Sequence, residues 1–329
     1  MTSYENMMIK EQVYYEMYKN ERGGVLLKLL EEVNRKIASE IKKSKYITSK
    51  ERYKELSQVV KKYSSELVKG VVSDINVEEL IQYELEKHGE LLNQHTGYEV
   101  VIPSIAQVKS AIEFRPFANT YTWQSYLDGI EDGLYNLWDS SLRTGYLAGM
   151  STSEIVRTVI GGMDNVSKLK LEGLYKSFKN NLYYNTLTML QMIANESREK
   201  LFRENEEYFG DDQYKYEGLA TLDRRTCFVC ARLDKKLYKT YEECPKYPIH
   251  RSCRCLIIPY VISLGKRSSE FGEYADVSYK EWFSEQSDKV QEEILGESRY
   301  MLYKNGMYNV DEFATNTRVK TLEELRGKV

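Results

Sequence analysis

The chain has 329 residues, of which 47 are Lys or Arg and 50 are Asp or Glu, so its formal net charge is −3. This near balance excludes a protein that binds nucleic acid through bulk positive charge, and the length allows two or three compact units. A charged fraction of 29% with only five prolines favours a folded, helix-rich chain over a disordered one. The longest uncharged run, Asn180 to Asn195, is shorter than the roughly 20 apolar residues that cross a membrane.

The first two-thirds of the chain have the pattern of successive amphipathic helices. Apolar residues recur at helical spacing from Leu26 to Ile41, and Thr48-Ser-Lys-Glu51 has the form of a capping box that starts the next helix. Asn76 and Thr122 are predicted caps of two further helices, and Ser151-Thr-Ser-Glu154 is a second capping box. A long helical stretch is then predicted from about residue 165 to residue 208.

The pattern changes after residue 210. Segments 214–221 and 256–262 are predicted strands that lead into and out of a cysteine-containing segment. All five cysteines lie between Thr226 and Leu256, together with one histidine. A polar linker and a single final helix, with an apolar side from Trp282 to Leu302, are predicted to follow.

The cysteine spacing predicts a structural zinc site. Cys-x-x-Cys at Cys227 and Cys230 directs two sulfurs toward one point, and His250 with Cys253 or Cys255 would complete a tetrahedron. Thiolate and imidazole donors in this geometry suit zinc. We predict that four of these five residues ligate the metal, and the choice between Cys253 and Cys255 stays open.

Disulfides and catalysis are the competing interpretations of the same residues. The segment Met1-Thr-Ser-Tyr-Glu does not resemble a secretory signal and five thiols leave one unpaired, so a reducing cytoplasm is expected. Catalytic zinc needs an open coordination position and a nearby acid or base, whereas His88 and His95 are distant in sequence. We therefore predict no catalytic residues and no enzyme.

The predicted fold class is α+β, mostly α, with a small β-rich zinc-knuckle module and a C-terminal helix. The predicted regions are an N-terminal helical region (1–100), a central helical domain (101–209), the zinc-knuckle module (210–265) and a C-terminal helical segment (266–329).

The residues around the predicted ligands resemble the phage Mu F-like minor head protein family, which carries the phage head morphogenesis domain. The likeness rests on ATLDRRTCFVCARLD at 220–234 and PIHRSCRCLIIP at 248–259, supported by segments 141–155 and 282–300. It covers roughly residues 100–329. Lys235 and Arg251 stand where the family often has Gly and Pro, but no candidate ligand is lost.

The resemblance implies a structural protein of the virion, a minor capsid protein that associates with the portal vertex during prohead assembly and affects DNA packaging or ejection. The implied partner is the portal protein. Scaffold protein, major capsid protein and packaged DNA are further candidates, and no membrane is expected. The implied location is the head interior or portal vertex, after assembly in the host cytoplasm. Asp223, Arg225 and Thr226 are expected to support the ligands through hydrogen bonds.

Two alternative functions use the same segment. The first is a zinc-ribbon DNA-binding protein of the head, because seven basic residues could form a basic face. These residues are Arg224, Arg225, Arg232, Lys235, Lys236, Arg251 and Arg254. The second, less supported, is a zinc-dependent nuclease, which would need another histidine as general base beside a second metal.

Overall fold

The computed structural model describes residues 4–114, 122–161, 167–209, 213–260, 266–269, 272–275 and 277–327. The helices are α1 (Tyr4–Ile41), α2 (Lys50–Asp74), α3 (Val77–Thr96), α4 (Ile105–Phe114), α5 (Trp123–Leu147), α6 (Thr152–Ile160), α7 (Ser167–Glu204), α8 (Phe228–Leu233), α9 (Tyr279–Ser284), α10 (Asp288–Leu295), α11 (Glu297–Lys304) and α12 (Leu322–Arg326). The strands are β1 (Tyr216–Leu219), β2 (Leu237–Tyr238), β3 (Leu256–Pro259), β4 (Lys266–Ser269) and β5 (Gly272–Ala275). Short 3-10 helices lie at Glu206–Tyr208, Tyr241–Glu243 and Val310–Phe313.

This content confirms the predicted α+β fold, mostly α. The three-stranded antiparallel sheet has the order β2-β1-β3, and β4 and β5 form a separate antiparallel pair. That pair lies where a polar linker was predicted. The predicted single C-terminal helix is instead α9, α10 and α11, because Ser287 begins a new helix and Gly296, at φ 70°, separates the last two.

The chain divides into two compact units. One contains Met1–Met17, Ile81–Val108 and Gln191–Val329, and the other contains Tyr18–Leu80 and Lys109–Leu190. Helices α1, α3, α4 and α7 contribute residues to both units. The predicted regions are continuous stretches of sequence, whereas each compact unit combines separate segments that contact one another. The boundaries at residues 100, 209 and 265 therefore stay predictions.

Helix starts in the second unit follow local capping signals. Ser151 and Glu154 form the predicted capping box at the start of α6. The predicted cap at Thr48 is wrong by one residue, because the Ser49 hydroxyl accepts a hydrogen bond from the backbone N–H of Arg52. The extended backbone of Ser49, at φ −149° and ψ 164°, places its side chain to make this contact.

Close contacts between α5 and α6 depend on a glycine in the second unit. A Cβ atom at Gly145 would lie 2.2 Å from Cγ1 of the buried Ile155. The fully buried Trp138 on α5 donates a hydrogen bond of 2.8 Å from its indole N–H to Asn34. The packing is therefore tight, and the buried indole N–H of Trp138 has a hydrogen-bond partner.

A buried ionic network lies within the first unit. The Nε–H of Arg198 on α7 donates to Glu84 on α3 at 2.7 Å, and Nε2 of His88 lies 3.1 Å from the same carboxylate. Burial opposes ionisation of Glu84, but Arg198 and His88 outweigh it and lower the pKa of this carboxyl to about 2. Burial, reinforced by the charge of Arg198, lowers the pKa of His88. No helix in the described ranges combines the length and apolar character of a membrane span.

Candidate metal centre

Sheet pairing brings the two cysteine-containing segments to one place. The antiparallel register of β1 and β3 pairs Leu219, where the chain leaves β1, with Leu256, where it enters β3. The loop that leads to Cys227 and the segment that ends at Cys255 therefore lie at the same end of the sheet. Close approach of β1 to the last residue of α8 requires Gly218, since a Cβ there would lie 2.4 Å from the Leu233 carbonyl oxygen.

Local structure orients the donors of each half of the cluster. Cys227 caps α8, and its sulfur accepts a hydrogen bond of 3.4 Å from the backbone N–H of Cys230. In the second half the Cys253 N–H donates to the His250 carbonyl at 3.1 Å. Nδ1 of His250 lies 2.8 Å from the Arg251 carbonyl oxygen. A carbonyl only accepts, so Nδ1 carries a proton, and Nε2, which faces the sulfurs, is the nitrogen that a metal ion could bind in place of a proton.

Five donor residues converge at this point, and together they can hold a metal ion. Nε2 of His250 lies 3.0 Å from the Cys227 sulfur and 3.5 Å from the Cys230 sulfur, and the Cys230 and Cys253 sulfurs are 3.8 Å apart. The ligand atoms of Cys227, Cys230 and His250 lie within 4.8 Å of one another, as do those of Cys230, Cys253 and Cys255. All five cysteines of the chain are free thiols.

The cluster separates charge among its members. A hydrogen bond with Cys230, supported by His250, lowers the pKa of Cys227 to about 5. Hydrogen bonds to Cys227 and then to Cys253 raise the pKa of His250 to about 11. Burial opposes ionisation of Cys253, but hydrogen bonds from its neighbours lower its pKa, whereas the pKa of Cys255 is raised. A hydrogen bond with Cys230 lowers the pKa of Cys255, but the effects of Cys253 and of burial are larger together and raise it. Cys227 and Cys253, whose pKa values are lowered, are therefore the thiols of the cluster that ionise most readily.

Asp223 supports the loop that carries the first cysteines. The Arg254 guanidinium donates two hydrogen bonds to its carboxylate, at 2.6 and 2.8 Å, and outweighs burial to lower the pKa of Asp223. The carboxylate also accepts from the Arg225 backbone N–H at 2.9 Å and from the Thr226 hydroxyl at 3.2 Å. Asp223 and Thr226 thus make side-chain hydrogen bonds in this loop, whereas Arg225 contributes its backbone N–H.

Sequence reasoning missed three other supporting residues. Asp234 accepts a hydrogen bond from the Ala220 N–H and another from the Tyr279 N–H, both at 2.7 Å. The Tyr279 hydroxyl donates to the Asp223 carbonyl at 3.2 Å. Arg254 is the third. The sequence predicts that it lies on a basic face, whereas its guanidinium binds Asp223. Asp234 and Arg254 lie inside the family-like segments, but no spacing signal identifies their partners.

The C-terminal helices pack directly against α8. Ala231 belongs to one buried apolar cluster with Tyr279, Trp282, Phe283 and Phe313. Residues 210–265 and 266–329, predicted as separate regions, therefore share this core. Burial of the cluster helps to hold α8, and with it Cys227 and Cys230, in position.

The predicted basic face is largely committed to contacts within the protein. Arg254 pairs with Asp223, and Lys235 contacts two carboxylates, Glu5 and Glu217. Two more of the seven residues also have partners: Arg224 contacts Glu293, and Arg232 contacts Asn316 and the Asp311 carbonyl.

Cys244, which was not among the predicted ligands, lies outside both groups of candidate ligands. Its sulfur lies 3.5 Å from the Thr240 carbonyl oxygen, and burial raises the pKa of its thiol.

Comparisons with protein-family profiles, curated proteins and solved structures find no match to this chain. The family resemblance therefore rests on the residues themselves.

Proposed function

We propose that the cluster binds one zinc ion and that the chain is a structural minor head protein of the phage Mu F-like kind. The observation that carries the metal proposal is the spacing of the donor atoms. Zn–S bonds of about 2.3 Å and Zn–N bonds of about 2.0 Å in a tetrahedron place two sulfurs about 3.8 Å apart and sulfur and nitrogen about 3.5 Å apart. The Cys230–Cys253 and Cys230–His250 distances are 3.8 and 3.5 Å, whereas the Cys227–His250 distance, 3.0 Å, is shorter than the tetrahedral value.

A disulfide does not account for these distances. Bonded sulfurs lie about 2.05 Å apart, far closer than Cys230 and Cys253. Cys227, Cys230 and His250 form one contact group, and Cys253 interacts with both Cys230 and His250. We therefore assign Cys253 as the fourth ligand. Cys255 lies beside Cys230 and Cys253 as a protonated thiol in this assignment.

The proposed role of the metal is structural. Among the four assigned ligands, Cys230 and Cys253 are 2% and 1% exposed and Cys227 and His250 are half-buried, which suits a closed site with four protein ligands. Zinc binding to small domains contributes about 10–16 kcal/mol of apparent free energy, so a three-stranded sheet with one six-residue helix gains most of its order from the ion. Zinc would fix α8 and the His250–Cys253 turn relative to the sheet.

The virion role follows from the resemblance of the segments at 220–234 and 248–259. Support for a structural protein over the two alternatives comes from the surroundings of the cluster. His88 and His95 lie on α3, where His88 contacts Glu84 and His95 contacts Tyr4, so neither supplies a base beside the metal. Internal contacts of four basic residues weaken the DNA-binding alternative.

The test combines metal content and partner binding. Native mass spectrometry would be performed on the full chain, alone and mixed with a phage portal protein encoded in the same genome. We expect one zinc per chain and a complex with the portal protein. Cys227→Ser should lose both, whereas Cys244→Ser, a change at a buried cysteine outside the cluster, should retain both. A metal-free parent chain would refute the zinc site, and a zinc-loaded chain that does not bind the portal protein would refute the virion role.

A further inference from the structure

A stacked aromatic pair, with Tyr98 exposed and Tyr208 half-buried, lies in the first unit on residues that are not part of the metal centre. The rings of Tyr98 and Tyr208 stack with centroids 4.7 Å apart and an interplanar angle of 17°. Tyr98 is 56% exposed, and Val101 and Ile102, on the same segment, are 55% and 46% exposed. We call Tyr98, Val101, Ile102 and Tyr208 the tyrosine surface.

Three contacts hold this segment in place. The side-chain amide of the fully buried Asn205 accepts from the Val101 N–H and donates to the Val101 carbonyl, both at 2.8 Å. The Val100 N–H donates to Asn93 on α3 at 2.8 Å. Ile102 lies against Gly89, where a Cβ would be 2.5 Å from its Cδ1 atom. The apolar side chains are therefore displayed from an ordered backbone, which lowers the entropy cost of binding.

Two carboxylates give the tyrosine surface a negative potential. The neighbouring Glu207 carboxylate raises the pKa of Tyr208, and the charge of Glu99 adds to this effect. Neither Glu99 nor Glu207 forms an ion pair with a basic side chain within the described ranges. The surface thus combines an open aromatic face, two carboxylates and adjacent apolar side chains.

We propose that the tyrosine surface binds an arginine-containing peptide segment of a partner protein. A guanidinium can stack on an aromatic ring while donating hydrogen bonds to carboxylates, and it carries the charge that these carboxylates attract. Val101 and Ile102 would contact apolar residues beside the arginine. Nucleic acid is disfavoured as the occupant, because its phosphates would be repelled by Glu99 and Glu207.

Fluorescence anisotropy with a labelled peptide tests this site on the zinc-loaded full chain. The probe is fluorescein-Gly-Val-Arg-Val-Gly, and the matched control carries citrulline, which keeps the shape of arginine without its charge. We expect the citrulline peptide to bind about tenfold more weakly. The double variant Glu99→Gln/Glu207→Gln should weaken binding of the arginine peptide by a similar factor, and Tyr98→Ala about threefold.

Tyr83→Ala is the control variant, since Tyr83 is 50% exposed on α3 but lies outside the tyrosine surface. It should leave binding unchanged. Equal affinity for both peptides, absence of binding, or full affinity in the glutamine double variant would each overturn the proposal. The two glutamates are exposed, so their substitution keeps the test valid if Tyr98→Ala fails to fold. Zinc content measured on the same samples separates this outcome from failure of the metal proposal.

Discussion

The ion pair between Asp223 and Arg254 allows a quantitative test of how the ligand loops are held. The two side chains are only 15% and 11% exposed, and the carboxylate accepts two hydrogen bonds from the guanidinium. Asp223→Ala leaves the Arg254 charge buried without this partner. Removing one member of a buried pair costs about 3–5 kcal/mol, and the residual exposure of both groups places the expected loss near 3 kcal/mol.

A double-mutant cycle isolates the contribution of the pair. Arg254→Met alone leaves Asp223 with the Arg225 N–H and the Thr226 hydroxyl, so we expect a smaller loss of about 2 kcal/mol. The double variant Asp223→Ala/Arg254→Met should lose about 3 kcal/mol instead of the additive 5, a coupling of about 2 kcal/mol. Urea unfolding of the zinc-loaded chains, followed by tryptophan fluorescence, measures each term. Additive losses, with a coupling below about 0.5 kcal/mol, would contradict a role for this pair.

Three other expectations concern the fourth ligand, helix packing and the response to pH. Cys253→Ser should abolish stoichiometric zinc binding in native mass spectrometry while Cys255→Ser retains it; the opposite result would exchange their roles. Gly145→Ala should destabilise the chain by about 1–3 kcal/mol in thermal unfolding, because the added methyl group overlaps Ile155; unchanged stability would mean that α5 and α6 are not in close contact. The lowered pKa of buried His88 means that the folded state favours the neutral ring. The contribution of His88 to the free energy of unfolding is therefore complete above the unfolded pKa of about 6.5 and is lost as the pH falls below that value. The unfolding free energy should therefore decrease between pH 7.5 and 5.5 by more in the parent than in His88→Gln, and parallel pH profiles would disprove this.

Short-range signals made parts of this structure predictable. The Ser151–Glu154 capping box depends on four consecutive residues, and the structure has it as predicted. The Cys-x-x-Cys spacing predicted that Cys227 and Cys230 would lie together, and His250 joins them as expected. Hydrophobic periodicity likewise predicted a mostly helical chain, because each period needs only a few neighbouring residues. The error at Thr48 arose because Thr48 and Ser49 are adjacent and either hydroxyl could cap α2.

Long-range pairing was not predictable from the same patterns. Arg254 was counted among exposed basic residues because nothing in its spacing indicates that it lies against Asp223, 31 positions earlier. The β4–β5 pair was missed because its sequence is polar and lacks the apolar alternation of a half-buried strand. The tyrosine surface was missed for a related reason. Its two aromatic residues are 110 positions apart, and the Asn205 side chain helps to bring them together by binding the chain at Val101.

Lys235 explains how one departure from the family pattern is accommodated. Its φ angle is 60°, a left-handed conformation that glycine adopts freely and that costs another residue about 1–2 kcal/mol. The family that this segment resembles often has glycine at the same position. Here the lysine ammonium lies 2.6 Å from Glu5 and 2.9 Å from Glu217, whose side chains are only 8% and 4% exposed. Two charge-assisted contacts to buried carboxylates are strong enough to offset the backbone cost. The loop therefore keeps the conformation that glycine favours, so the substitution is compatible with the resemblance, and it also ties the first turn of α1 to the strand that leads into the metal centre.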